Sequence, residues 1–214
     1  MKRGEPSRSS DKSDNIEKLH KVSPMRKLII VRHSVSQLDA KIPPGKWKLT
    51  DEGRKLCHPL AQKIFPHNPD VIITSSERKA QETGVIIANL LNLPYKIGNN
   101  LHELVRESGK LLSKKIFEEH VSNLFSNPDQ HIYGIETANE ALIRFSSAVD
   151  DLMKSIPEKT PAIITHGMCM SLYYGEISGK NSYQFWKNLG IPSFYTVIWP
   201  AGVIESVMRQ IDQI

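Results

Sequence analysis

Three short apolar runs, far apart in the chain and each ending in polar or basic residues, restrict the folds open to this sequence. Leu28-Ile29-Ile30-Val31 leads into Arg32-His33-Ser34, and Val71-Ile72-Ile73-Thr74 into Ser75-Ser76-Glu77-Arg78-Lys79. Ala162-Ile163-Ile164-Thr165 leads into His166-Gly167. Short uninterrupted runs rich in β-branched residues read as strands covered on both faces, the pattern of a parallel sheet. Helical patterns lie between them, so the expected fold is α/β: a three-layer sandwich with a mainly parallel sheet and helices on both faces.

In open α/β sheets, ligands bind outside the carboxyl ends of the strands. If the three strands are neighbours, Arg32, His33, Arg78 or Lys79, and His166 converge on one pocket. Cations and N–H donors suit the several oxygens of a phosphate. An imidazole near neutral pH can act as nucleophile or donor.

Between the runs, the loop Val35 to Lys48 holds Pro43-Pro44-Gly45 and Trp47 and is expected to form one wall of the pocket, with Trp47 more a packing residue than a platform. Thr50 is placed to cap a helix toward Phe65 that Pro59 should kink or split. Ser75 or Ser76 should cap the helix carrying Ile86, Ile87, Leu90 and Leu91, and a short strand is expected around Tyr95 to Ile97. Leu112, Ile116, Val121, Leu124 and Phe125 mark a further helix, and Thr137 with Glu140 forms a capping box for a long helix through Ile156. A helix from about Met168 to Tyr174 and two last strands, near Phe194 to Trp199 and Val203 to Met208, complete the pattern.

The order and spacing of five motifs resemble those of the histidine phosphatase superfamily, the phosphoglycerate mutase-like proteins. They are Arg32-His33-Ser34, Leu49-Thr50-Asp51-Glu52-Gly53, Thr74 through Thr83, Leu101-His102-Glu103 and Thr165-His166-Gly167. The resemblance covers Lys27 to the C-terminus. It implies that His33 is the nucleophile, forming a phosphohistidine that water hydrolyses. Arg32 would clamp phosphate oxygens, His166 would stabilise the transferring group, and Glu103 would be the acid for the leaving alkoxide, with Glu107 as a nearby substitute. Burial would have to raise the pKa of Glu103 for that role. Ser34, Lys79, Arg78 and Gly167 complete the expected phosphate-binding set.

This sequence departs from the family pattern at three places. Ser34 stands where Gly is usual, Lys79 rather than Arg78 falls on the second clamping arginine, and Asp39 stands where many relatives have a phosphate-contacting Asn. The implied activity is a phosphomonoesterase acting on a small phosphorylated substrate, with a phosphopeptide as an alternative form. Phosphoglycerate mutase-type transfer is the runner-up, and the three departures motivate a phosphate-binding regulatory protein with little turnover.

Composition limits the alternatives. Residues 1–27 carry eight Lys/Arg against four acids, so the formal charge of +5 belongs largely to this end and a nucleic-acid face is not expected. Residues 1–24 read as a disordered tail, with one domain over 25–214 and a helical insertion, about 104–134, over the site. No run reaches transmembrane length, and no secretory h-region follows Lys2-Arg3. Cys57 and Cys169 are expected as buried thiols of a cytoplasmic protein. His102-Glu103 begins like a zinc-protease helix motif, but Arg106 takes the second histidine's place, so neither metal nor cofactor is expected. A homodimer is left open.

Overall fold

The computed structural model describes residues 25–105, 111–132, 134–157 and 159–212. The strands are β1 (Arg26–Arg32), β2 (Val71–Thr74), β3 (Tyr95–Ile97), β4 (Pro161–Thr165), β5 (Ser193–Trp199) and β6 (Val203–Met208). They form one sheet in the order β3-β2-β4-β1-β5-β6. The expectation of a mainly parallel sheet is refined here, because the sheet is mixed. β3, β2, β4 and β1 pair in parallel, while β5 runs antiparallel to both β1 and β6. The short β5–β6 connection, residues 200–202, requires the antiparallel pairing of those two strands, since a tight hairpin can join only antiparallel strands.

Among the described residues, six α-helices cover the sheet: α1 (Asp51–Ile64), α2 (Arg78–Leu91), α3 (Lys114–Ser126), α4 (Ala138–Ser155), α5 (Gly167–Ser178) and α6 (Ser182–Lys187). Alternation along β1 explains the layers. Ile29 and Val31 face a core with Leu60 and Ile64 of α1 and Ile87 of α2. Leu28 and Ile30 face the opposite core, with Phe145 and Val149 of α4 and Tyr174 of α5. Full burial of such aliphatic side chains stabilises by about 1.5–3 kcal/mol each.

Local chemistry accounts for the helix ends. The Thr50 hydroxyl accepts the Gly53 N–H at 2.9 Å, and Thr137 and Glu140 make a reciprocal capping box. Of the expected kink or split at Pro59, the split does not occur, and α1 runs unbroken through it. Pro59 lies on the buried side with Leu56 and Leu60, and that burial offsets the lost backbone hydrogen bond. The capping expectation at Ser75 or Ser76 also needs correction. Glu77 is the N-cap of α2 without a side-chain cap, and the Ser75 hydroxyl instead accepts the Glu77 N–H at 3.2 Å while meeting His166. The expected tail, residues 1–24, lies outside the described residues.

Candidate active site

Strand register builds the site. β1 and β4 are parallel neighbours with Arg32 opposite Thr165, so the next residues, His33 and His166, emerge side by side. The His33 N–H donates to the Thr165 carbonyl at 2.9 Å, and the two imidazole centroids lie 5.2 Å apart. On the other side of β4, β2 ends in register, and the Ser75 N–H donates to the Ile164 carbonyl. This sets the Ser75 hydroxyl 2.8 Å from His166 Nε2. Helices α1 and α2 follow β1 and β2 on one face, while α5 follows β4 on the other. The chain therefore parts at these strand ends and leaves a crevice.

The crevice is a cavity of ≈ 360 Å³ whose polar lining includes Arg32, His33, Lys79, Glu103 and Gly167. His33 is 8% exposed, and its Nδ1 lies 2.7 Å from the Ser34 carbonyl oxygen. A carbonyl can only accept, so Nδ1 carries the proton and Nε2 the lone pair. Burial, then the neighbouring His166 and Lys79, hold the His33 pKa well below the usual imidazole value.

Arg32 donates to the Leu189 carbonyl at 3.0 Å and the Gly190 carbonyl at 3.3 Å. Burial lowers its pKa to about 10, with Glu103 acting in the opposite sense, and the side chain stays cationic at neutral pH. A Cβ on Gly167 would stand 2.9 Å from the guanidinium, so only glycine lets α5 begin this close to Arg32. His166 is wholly buried next to His33, between the Ser75 hydroxyl and the Glu77 carboxylate, whose Oε1 is 3.7 Å away.

Lys79 and Arg78 separate cleanly. The Lys79 side chain is 5% exposed, its Nζ donates to the Pro44 carbonyl at 2.9 Å, and it is ion-paired with Glu77. Arg78 does not join the phosphate-binding set: its side chain is 60% exposed and its Nε donates to Glu82 at 2.8 Å on the outer face of α2. Ser34 is likewise removed from that set. It is fully buried, its hydroxyl donates to the Gly53 carbonyl at 2.7 Å and its N–H donates to Thr83 Oγ1. The serine ties β1 to the start of α1 instead of facing the cavity. Asp39 also turns away, its carboxylate accepting the Lys41 N–H and its carbonyl the Trp47 indole N–H.

Glu103 lines the cavity but not in an apolar setting. Its oxygens accept the backbone N–H groups of Leu104, Met168 and Cys169 at 3.0–3.1 Å, the last two at the positive end of α5. Glu107 lies outside the described residues. Glu77 was not recognised from the sequence. Its carboxylate joins Lys79, the Glu103 N–H at 2.8 Å and His166, and although burial pushes its pKa up, Lys79, the Glu103 N–H and His33 together hold it below the ordinary value. The signal available was an acid two residues before the inward lysine at a helix start. Trp47 packs as expected and also lines the cavity, with Lys79 Nζ 5.7 Å from its ring centroid. Among the described residues, no group of His, Cys, Asp and Glu is arranged to hold a metal ion.

Two imidazoles and Arg32 at the carboxyl ends of adjacent parallel strands, with Lys79 from the first turn of α2, define a class: α/β proteins with a donor-rich crevice suited to a tetrahedral anion. The chain belongs to the histidine phosphatase superfamily (branch 1), whose family model matches residues 28–199. It is 24% identical over 174 residues to phosphoserine phosphatase 1 of Hydrogenobacter thermophilus, covering 76% of this chain and 81% of that protein. The fold is similar to that of Entamoeba histolytica phosphoserine phosphatase in complex with 3-phosphoglyceric acid. The TM-score is 0.69 at 19% identity, over 86% of this chain and 97% of that one. It is similar also to mycobacterial glucosyl-3-phosphoglycerate phosphatase, with a TM-score of 0.66 at 17% identity, over 89% and 98%.

Proposed function

We propose that the protein is a phosphatase that hydrolyses a phosphomonoester through a phosphohistidine on His33. The observation that carries this is the 2.7 Å contact from His33 Nδ1 to the Ser34 carbonyl, which leaves the nucleophilic lone pair on Nε2. In the first step Nε2 bonds to phosphorus and the ester P–O bond breaks. The electron pair goes to the departing oxygen, which takes a proton from Glu103. In the second step water bonds to phosphorus, the N–P bond breaks, and the proton from water returns to Glu103. Arg32 and Lys79 neutralise the phosphoryl oxygens throughout, the main electrostatic requirement for moving a dianionic group. Buried next to His33, His166 adds charge stabilisation to the transferring group. The insertion carrying α3 serves as the lid, since Phe117 lines the same cavity.

The substrate is a small phosphorylated molecule, consistent with the cavity's size and with the names of the relatives. The test is phosphate release from p-nitrophenyl phosphate. His33→Ala should reduce it at least about 1,000-fold, the scale on which removal of a catalytic nucleophile acts. Rapid acid-free quenching of the unsubstituted protein should trap a phosphohistidine absent from the variant. Release that persists in His33→Ala would reject the assignment. Tight phosphate binding without release would instead favour a regulatory binding protein, a reading supported by Glu77, which already occupies Lys79 as a counter-ion.

A further inference from the structure

The cavity lining is of two kinds. Besides the polar groups, it includes Leu38, Trp47, Leu112, Phe117, Trp186 and Ile191. These come from separate parts of the fold, the loop after β1, the segment leading into α3, α3 itself and the segment around α6. Phe117 and Trp186 meet with ring centroids 5.8 Å apart and planes tilted by 57°. Trp47 and Trp186 are each 8% exposed, so their faces are held in place by packing. Among the described lining residues, charge sits on Arg32, Lys79, Glu103 and Lys114. Lys114 has a side chain 90% exposed and 3.9 Å from Glu118, so it is solvated and already paired.

Among the described residues, the buried charges of the cavity are those assigned to the phosphoryl group, so an ammonium or carboxylate on the alcohol would lose water against aromatic and aliphatic carbon with none left to pair with it, which is unfavourable. An apolar alcohol would bury its carbon there at a gain. The volume of ≈ 360 Å³ lies at the small end of ligand sites, which run about 300–1,000 Å³. It accommodates a phosphoryl group and one ring or a short alkyl chain. Resting on the phosphatase reading above, we infer that the substrate is a phosphomonoester of an apolar alcohol, aryl or alkyl, rather than of an amino acid or hydroxy acid. The rings of Phe117 and Trp186 are the specificity determinants.

The test compares primary alkyl phosphates whose leaving oxygens are alike: 3-phenylpropyl phosphate against phosphoserine and 3-phosphoglycerate. The phenylpropyl ester should have a kcat/KM at least about 10-fold higher, the discrimination an apolar pocket provides per small group. Phe117→Ala should shrink that ratio by about 10-fold. Leu38 is 61% exposed, so Leu38→Arg tests the same point without threatening the fold. It should lower the ratio by raising turnover of the anionic esters. Equal or reversed preference in the unsubstituted protein, or a ratio unmoved by both variants, would overturn the inference while leaving the phosphatase reading intact. No release from any of these esters or from p-nitrophenyl phosphate would overturn both.

Discussion

At the residue scale, the buried ion pair of the site is Lys79 with Glu77, whose carboxylate also lies 3.7 Å from His166 Nε2. Glu77 holds Lys79 and must share it when a phosphate arrives. Glu77→Gln leaves a buried ammonium without its counter-ion, a loss of about 3–5 kcal/mol when one partner of a buried pair is removed. Inorganic phosphate can supply that charge, so it should raise the melting temperature of Glu77→Gln by more than it raises that of the unsubstituted protein. Equal shifts would show that Lys79 does not meet the phosphate. Glu103→Gln tests the proton carrier. Its loss of kcat should be on the order of 100-fold or more for an alkyl ester, the usual scale for a positioned acid. It should be much smaller for p-nitrophenyl phosphate, whose leaving oxygen needs no proton, and an equal loss for both would assign Glu103 a structural role only.

At the element scale, α2 shows how a helix sorts adjacent basic residues. Lys79 shares the inner face with Thr83 and Ile87, and the Thr83 hydroxyl donates to the Lys79 carbonyl at 2.8 Å. Arg78 shares the outer face with Glu82, its i,i+4 partner. The sequence left the choice between the two open, and the packed face of α2 decided it. Arg78→Ala should leave kcat/KM within about twofold and stability within about 0.5 kcal/mol, as for exposed surface positions. Lys79→Ala should abolish most turnover. The close approach of α2 to the sheet depends on Gly84, where a Cβ would stand 2.2 Å from Thr74 Cγ2. Gly84→Ala should therefore destabilise by about 1–3 kcal/mol, the cost of overpacking, as read from denaturant midpoints. The role of Ser34 was not legible, because its partners Gly53 and Thr83 lie 19 and 49 residues away.

At the scale of the whole molecule, burial of the pocket histidine links stability to pH. His33 has a folded pKa well below its unfolded value of about 6.5, so below that pH the unfolded chain binds more protons. Its contribution to stability is full above about pH 6.5 and declines as the pH falls toward the folded value. The melting temperature should drop between pH 7.5 and pH 5.5, and less so in His33→Gln. Equal drops would place the dependence in the other histidines with lowered pKa values, His67 and His102. What the amino-acid order alone determined was local: which runs are strands, which residues end them, and that imidazole and cation recur at those ends. Periodicity and turn chemistry act over a few residues, so they can be read directly. Tertiary structure decided what depends on register and on which face meets which: His33 beside His166, Lys79 in and Arg78 out, Ser34 as a strut, Glu77 paired with Lys79, and apolar side chains lining the same cavity as the polar groups. Those outcomes come from pairing segments far apart in the chain, where a shift of one residue would exchange the two faces of a strand.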